Sequence, residues 1–266
     1  MTETLQKFNK LLNRVPEITI YFWIIKVLGT TIGETAADFL SFNMHLGLVN
    51  TSYVMSALLA IVLAIQFKLK RYVAVNYWIA VVLISIVGTL ITDQMVEGLG
   101  ISLVTTTIAF SIALAVVFII RYLREKTLSI HSIFTARREA FYRLAILFTF
   151  ALGTASGDLL SEGWGIGYVQ AGLIFGGAIA LIAVVYYFIR SKGFKLNSIF
   201  AFWAAYILTR PLGASIGDYL TQPHQYGGLG ISTIRITPIF LLGIIALVTY
   251  LSITKKDKTT IEQVEN

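Results

Sequence analysis

The sequence predicts an all-α integral membrane protein with eight transmembrane helices, built from four parallel two-helix repeats. Three observations indicate this fold. The chain is 56% hydrophobic and only 13% charged, whereas soluble domains contain about 25% charged residues. Its apolar segments are long enough to cross a bilayer, and one short motif recurs four times along them. The chain has no cysteine, which excludes disulfides and thiolate chemistry.

The predicted helices are segments of about 20 mostly apolar residues, the length that crosses the hydrocarbon core. The eight segments are 18–40, 51–69, 73–95, 100–122, 141–161, 168–190, 197–220 and 231–253. They divide the chain into an N-terminal segment (1–17), two halves of two hairpin repeats each (18–123 and 141–254), a linker (124–140) and a polar tail (255–266). The N-terminal segment is either an amphipathic helix on the inner leaflet or a frayed tail. No room is left for a separate soluble domain.

Basic residues lie almost entirely at one set of connections. All 21 lysines and arginines except Lys26, Arg210 and Arg235 fall in or beside the termini and the connections after even-numbered helices. The connections after odd-numbered helices carry none. By the positive-inside rule, this pattern predicts that both termini and the linker are cytoplasmic. The net charge of +7 therefore reflects membrane topology, and no nucleic-acid partner is expected.

A ten-residue motif occurs once in each odd-numbered helix. Its copies are GTTIGETAAD from Gly29, GTLITDQMVE from Gly88, GTASGDLLSE from Gly153 and GASIGDYLTQ from Gly213, so their first residues are 59, 65 and 60 apart. Because each copy belongs to a unit of two helices, all four units run the same way through the membrane. A pseudo-fourfold ring, or a twofold pair of halves, would bring the odd-numbered helices together at the centre.

Two kinds of residue in the motif have predicted roles. Small residues four apart let membrane helices approach closely. The glycines assigned to this helix packing are Gly29, Gly33, Gly88, Gly153, Gly157, Gly213 and Gly217. The acidic positions, also four apart, lie on one helix face. They are Glu34 with Asp38, Asp93 with Glu97, Asp158 with Glu162, and Asp218 with Gln222.

We predict that these eight side chains bind a cation on a central axis, because charged groups within membrane helices usually face the bundle interior and mark ion pathways. The predicted metal ligands are one acid per copy: Glu34, Asp93, Asp158 and Asp218. Lys26 and Arg210, each three residues before a motif, are expected to tune the charge of the site or to pair with its acids. The alternative interpretation places the acids at a wet interface near the helix ends.

The expected function is transport or export of a cation, with proton coupling as an option. An all-oxygen site suits hard divalent ions, so the expected substrate is manganese-like, with magnesium, calcium or zinc as further options and no other cofactor. The alternatives are transport of an organic cation or small solute, an intramembrane carboxylate enzyme, and a sensor or scaffold subunit. Enzyme activity is not expected, because no hydrolase motif occurs. The expected partners are the lipid bilayer and a small cation or proton, and homo-oligomer formation is left open.

Four stretches carry a resemblance to a known family. They are VPEITIYFWIIKVLGTTIGETAADFL, AVVLISIVGTLITD, FYRLAILFTFALGTASGDL and FWAAYILTRPLGASIGDYL. They resemble a family of bacterial integral membrane proteins described as uncharacterised membrane-anchored proteins. The resemblance implies a bacterial cytoplasmic (inner) membrane and brings no established catalytic residues. The Gly-Glu and Gly-Asp pairs are also loosely similar to calcium/manganese exchangers, whose repeats carry Glu-x-Gly-Asp-Lys/Arg, although the flanking Glu and base are lacking here.

Overall fold

The computed structural model describes residues 13–69, 71–191 and 197–258, and within them the regular structure is helical. The eight long helices of these ranges are α1 (Ile20–Asp38), α2 (Gly47–Lys68), α3 (Ala74–Asp93), α4 (Leu103–Glu125), α5 (Ala136–Asp158), α6 (Tyr168–Ser191), α7 (Ser198–Thr221) and α8 (Thr233–Thr254). The predicted all-helical chain of eight long helices is therefore confirmed. Seven of them, all except α1, are long and apolar enough to cross a membrane.

The helix ends differ from the predicted ones mainly at α5. This helix begins at Ala136, within the predicted 124–140 linker, because the Thr135 side chain accepts a hydrogen bond from the Arg138 amide and caps the first turn. The predicted amphipathic N-terminal segment falls mostly on residues 1–12, and most of the predicted tail on residues 259–266. Both ranges lie outside the described residues.

The odd-numbered helices form an inner ring. Helix α1 packs on α3, α3 on α5, α5 on α7, and α7 returns to α1. Each even-numbered helix packs outside the ring against the odd-numbered helix of the next repeat, and α8 closes the series on α1. Between 56% and 67% of the most apolar stretches of α3, α5 and α7 is buried, against at most 22% in the even-numbered helices. Of the two predicted arrangements, the pseudo-fourfold ring is the one observed.

Four glycines set how closely the inner helices approach. A Cβ atom added at Gly33, Gly88, Gly153 or Gly213 would overlap a side chain of the next helix in the ring. The side chains met in this way are, in the same order, Ser85, Phe150, Arg210 and Thr30. Each of them lies three residues before the glycine of its own helix, so the same contact recurs at all four junctions. We call Gly33, Gly88, Gly153 and Gly213 the glycine ring.

The glycine ring corrects the predicted register of the first copy. The sequence pattern aligned Gly29 with Gly88, but Gly33 occupies that position, and Gly29 has only ordinary contacts with Val82 and Ile244, at 3.8 and 3.9 Å from an added Cβ. The motif GTTIG offers two glycines one helical turn apart on the same face. The pattern alone cannot choose between them, and packing against Ser85 decides.

The correction moves every assignment in the first copy by one turn. Asp38, rather than Glu34, is the equivalent of Asp93, Asp158 and Asp218. Glu34 instead matches Thr89 and Thr154, the residues that directly follow ring glycines. Lys26 and Arg210, predicted to be equivalent, therefore lie at different levels of the bundle. Arg210 lies level with Thr30, whereas Lys26 lies one turn further from the motif.

Two further predicted packing glycines lie one turn beyond the ring. An added Cβ at Gly157 would lie 3.5 Å from the Pro211 backbone, and one at Gly217 would lie 3.1 Å from Cβ of Glu34. Both glycines therefore also lie at crossings between neighbouring inner helices. In each pair of helices, a residue later in one helix contacts a residue later in the other. Gly213 meets Thr30, for example, and Gly217 meets Glu34. Helices α5, α7 and α1 therefore run parallel to one another.

The bundle is closed at the end opposite the motif acids, which we call the basic end. The hydroxyl groups of Tyr77 and Tyr142 lie 2.7 Å apart in a buried aromatic layer. Next to this layer, the fully buried Glu139 accepts hydrogen bonds from Gln66 at 2.7 Å and from Arg14 at 3.0 Å. Aromatic packing and the hydrogen bonds to Glu139 together close this end of the inner ring.

Substituting Gly88 with alanine tests the glycine ring. The new methyl group would lie 2.7 Å from Cβ of Phe150 and 3.2 Å from the Ala151 amide nitrogen. Because the backbone of the neighbouring helix cannot yield cheaply, we expect a loss of about 1–3 kcal/mol. The measurement is the thermal unfolding midpoint of the purified protein in detergent.

The matched control is Gly177→Ala on α6, since an added Cβ there has no neighbour within 4 Å among the described residues. Alanine also has the higher helix propensity. We expect the control to unfold at or above the wild-type midpoint. Equal midpoints for the two variants would contradict the close crossing at Gly88.

Candidate functional site

Four equivalent aspartates follow the glycine ring by five residues each. Asp38, Asp93 and Asp158 are the last α-helical residues of α1, α3 and α5, and Asp218 lies in the last turns of α7. A short π-helical turn follows the first three, over Phe39–Asn43, Gln94–Gly98 and Leu159–Gly163. Such turns are frequent at functional sites because they re-aim the residues beside them. We call Asp38, Asp93, Asp158 and Asp218 the aspartate ring.

The aspartate ring faces a common space. Asp38, Asp93 and Asp158 lie one helical turn after three residues whose side chains meet at the Arg210 guanidinium group, namely Glu34, Thr89 and Thr154. Asp218 is 5% exposed, and the other three aspartates are half-buried. Because residues four apart share a helix face, these aspartates face the same axis, and Asp218 holds the equivalent position on α7.

The outermost predicted acids line the rim of this space. Glu97 and Glu162 are exposed, and Gln222 is half-buried. Glu162 accepts a hydrogen bond of 2.8 Å from the Tyr168 hydroxyl, which comes from the start of α6. Glu97 and Glu162 each follow an aspartate of the ring by four residues, Asp93 and Asp158 respectively, so they lie beside the ring at its outer end. We call the aspartate ring and this rim together the acidic mouth.

Arg210 closes the bottom of the acidic mouth. Its side chain is fully buried, and its guanidinium group donates to one residue or more from each of the other three repeats. It pairs with the Glu34 carboxylate at 2.7 Å and also donates to the Thr30 carbonyl at 3.2 Å. From the other two repeats, it donates to the hydroxyl of Thr154 at 2.7 Å and to that of Thr89.

The ligands of Arg210 have a common origin. Glu34, Thr89 and Thr154 each directly follow a ring glycine, so three equivalent positions supply oxygen atoms to one cationic group. A buried ion pair is tolerated when further hydrogen bonds satisfy the remaining lone pairs and protons. The predicted ion-pair role of Arg210 is therefore present, with Glu34 as its partner.

We call Arg210 with its oxygen ligands the Arg210 plug. Lys26 lies one helical turn further towards the basic end and has no carboxylate or hydroxyl partner among the described residues. Its Nζ atom is fully buried, 3.9 Å from the centre of the Phe150 ring and 4.1 Å from that of the Tyr206 ring. Within the described part of the chain, Nζ makes no hydrogen bond. Lys26 is therefore held by two aromatic faces, and its predicted pairing with a motif acid is not formed.

The predicted metal ligands are not gathered as a metal site. Across residues 13–69, 71–191 and 197–258, no three His, Cys, Asp or Glu side chains are grouped to hold a metal ion. Glu34 is engaged by Arg210, and its place in the predicted set belongs to Asp38 by equivalence. Binding of a divalent ion by Glu34, Asp93, Asp158 and Asp218 stays a prediction.

Sequence analysis missed the polar groups at the basic end, since Glu139 and Gln66 lie outside the repeated motif and were assigned no role. Tyr77 and Tyr142, by contrast, belong to aromatic pairs that recur once per repeat, for which packing or an interfacial belt is the expected role. Glu139 is followed by Arg143 one turn later, at 3.6 Å, a spacing that is typical of exposed helix pairs as well. The period of the repeat offered a better signal, because Tyr77 and Tyr142 are 65 residues apart, as are Gly88 and Gly153.

A double-mutant cycle tests the plug. Arg210→Met leaves the Glu34 carboxylate buried without its partner, and Glu34→Gln does the same to the guanidinium. We expect each single variant to lose about 3–5 kcal/mol of stability, the usual cost of breaking a buried pair. Thermal unfolding in detergent reports the loss.

The double variant Glu34→Gln/Arg210→Met carries no unpaired charge at this position. We therefore expect its unfolding midpoint to lie above those of both single variants. Losses that simply add in the double variant would show that the two side chains are not energetically coupled.

Comparison with known families supports the corrected register. A family model described as Repeat of Unknown Function (DUF347) matches residues 21–72, 76–127, 141–192 and 201–257. The matches confirm four repeats, and their starts at 21, 76, 141 and 201 are 55, 65 and 60 residues apart. These are the separations of Gly33, Gly88, Gly153 and Gly213, not those counted from Gly29. No curated protein and no solved structure matches the chain.

Proposed function

We propose that this chain, which belongs to the family of the Repeat of Unknown Function (DUF347), is a membrane transporter of a cation. The observation that carries this proposal is the inward-facing aspartate ring above the Arg210 plug. Charged groups that face the interior of a membrane bundle mark ion pathways. Four carboxyl groups around one axis create a local negative potential that concentrates cations.

The placement in a membrane rests on the outer surface and on the charge pattern. Seven helices are apolar enough to span a bilayer, and large apolar side chains such as Leu173, Leu181 and Leu242 are 63–70% exposed on the outer helices. The basic connections then face the cytoplasm. In this proposal the protein is a multi-pass protein of a bacterial inner membrane, with both termini cytoplasmic and the acidic mouth on the opposite side.

The transport route is open on one side and closed on the other. Cations enter the acidic mouth and meet Arg210, below which the buried aromatic layer closes the axis. Repeats related by an axis along the membrane normal commonly alternate access around a fixed central site. We propose that this structure is the state in which the site faces away from the cytoplasm.

Arg210 takes the place of the transported cation in this state. Its guanidinium group is held by the Glu34 carboxylate, two hydroxyls and a backbone carbonyl, all of which are oxygen ligands. Hard divalent ions such as Mn²⁺ prefer this ligand type. A cation that reaches Glu34 must displace the guanidinium group, so Arg210 competes with the substrate and prevents a continuous leak.

A second candidate substrate is an organic cation. The specific observation in its favour is that the inner oxygen ligands already hold a guanidinium group, that of Arg210. A small substrate bearing guanidinium would make the same planar hydrogen bonds. Uptake assays with Mn²⁺ and with guanidinium distinguish the two candidates.

Removing single charges of the aspartate ring tests transport. We expect Asp38→Asn and Asp158→Asn to reduce uptake of the transported cation to the level of protein-free vesicles, because each removes one of the four carboxyl groups that face the axis. The measurement is uptake of Mn²⁺, Mg²⁺, Ca²⁺ or guanidinium into liposomes that contain the purified protein.

The matched control is Asp257→Asn, since Asp257 is the one aspartate outside the ring. It lies after α8 near the basic end, where the Tyr72 hydroxyl donates a hydrogen bond to it. Burial raises the pKa of this carboxyl above its ordinary value, so the neutral amide is a mild replacement. Full uptake in both ring variants, or no uptake of any of these cations by the wild type, would overturn the proposed function.

A further inference from the structure

Lys26 is a buried titratable group that the transport route above does not use. An ammonium group in a protein interior is normally paired with a carboxylate or fully hydrogen-bonded. Nζ of Lys26 has neither kind of contact among the described residues. The faces of Phe150 and Tyr206 stabilise the ammonium form, whereas burial favours the neutral amine. Because these effects oppose each other, a change of nearby charge can decide which form is present.

A second cation lies close to Lys26, because Arg210 follows Tyr206 by one helical turn and the Tyr206 ring is 4.1 Å from Nζ of Lys26. The two groups lie on adjacent helices of the inner ring, α1 and α7, and both are cationic. In this structure the Arg210 charge is compensated by Glu34 at 2.7 Å. If Glu34 were engaged by another cation, the uncompensated guanidinium would repel an ammonium group at Lys26.

Polar atoms continue along the axis on both sides of Lys26. Ser85 Oγ and Arg210 Nε are buried and have no hydrogen-bond partner within the described ranges, a situation that buried water usually resolves. Towards the basic end, the Tyr206 hydroxyl is also buried without a hydrogen-bond partner in the described ranges, and the Tyr77 and Tyr142 hydroxyls lie 2.7 Å apart. Water at these unpaired buried atoms would accept the proton that Lys26 releases.

We propose that Lys26 is the proton-exchanging group of this transporter and that Arg210 communicates the occupancy of Glu34 to it. This inference rests on the proposed function and names its coupling. A cation bound at Glu34 displaces the guanidinium group of Arg210. The ammonium group of Lys26 then gives up its proton, becomes a neutral amine, and the proton passes to water. When the cation leaves, Arg210 returns to Glu34 and Lys26 takes up a proton again.

The groups that face Lys26 from the packed helices agree with this scheme. Arg210 and Tyr206 face it from α7, Phe150 from α5, and Ser85 lies on α3 one level above it. On α1 itself, Glu34 lies two turns away. Since Glu34 is the nearest motif acid and is committed to Arg210, cation and proton bind in mutually exclusive fashion. This is the linkage that an antiporter requires.

Proton release on cation binding tests the inference directly. Purified protein in weakly buffered detergent solution is titrated with Mn²⁺, Mg²⁺, Ca²⁺ and guanidinium in separate experiments. Binding is followed by calorimetry, and released protons by a pH-sensitive dye. We expect the wild type to release about one proton per bound cation, Lys26→Met to bind without this release, and the matched surface variant Lys68→Met to behave as the wild type.

A conservative variant separates proton exchange from folding. Lys26→Arg keeps the positive charge but holds its proton permanently, so we expect weaker cation binding with no proton release. Lys26→Met and Lys26→Arg that bind a cation and release as many protons as the wild type would overturn the role of Lys26 while leaving the proposed function intact. A wild type that binds none of these cations would overturn both.

Discussion

The close approach of four inner helices at the glycine ring is the constraint on which the rest of the molecule depends. At each junction a ring glycine lies directly against a side chain of the next helix, where a Cβ atom would overlap it. Helices packed this tightly leave an axis so narrow that one side chain can contact several repeats at once. Arg210 does so, since it reaches Glu34, Thr89 and Thr154 together.

The axis combines a symmetric part with an asymmetric part. The glycine ring, the aspartate ring and the π-helical turns repeat around the bundle and form an acidic mouth. The residues that break the symmetry are Lys26 and Glu34 in the first repeat and Arg210 in the fourth. These two repeats are neighbours across the junction that closes the ring, so their charges meet. The repeated aspartates thus create the negative field, and Arg210, whose equivalents in the other repeats are uncharged, is the cation that lies in it.

The close packing of the inner helices also determines how polar groups inside the bundle are hydrogen-bonded. Threonine and serine hydroxyls near the axis donate to carbonyl groups of their own helix, as Thr89 does to Ser85 and Thr154 to Phe150. Their lone pairs then remain available to accept from Arg210. At the basic end, Glu139 is satisfied by Arg14 and Gln66. In a dry interior an unsatisfied polar group is costly, and the Glu139 carboxylate and the Arg210 guanidinium group each lie within a network of hydrogen bonds.

Much of the architecture could be predicted from the sequence because it depends on local periodicity. Runs of apolar residues indicated the eight helices, the recurrence of one motif indicated four repeats, and residues four apart were assigned to one helix face. The aspartates were correctly recognised as a repeated feature in copies two to four. What failed was the register of the first copy, which was aligned on Gly29.

The physical reason is the helical period itself. Gly29 and Gly33 are one turn apart on the same face, so a shift of one turn preserves the pattern of small residues and keeps an acid directly after a small residue, Glu34 after Gly33 or Asp38 after Ala37. Only the neighbouring helix distinguishes them, through the contact of Gly33 with Ser85. The sequence by itself determined which residue types line the axis. The tertiary structure alone decided which of them share a level, and therefore that Arg210 is paired with Glu34 while Lys26 is left between two aromatic rings.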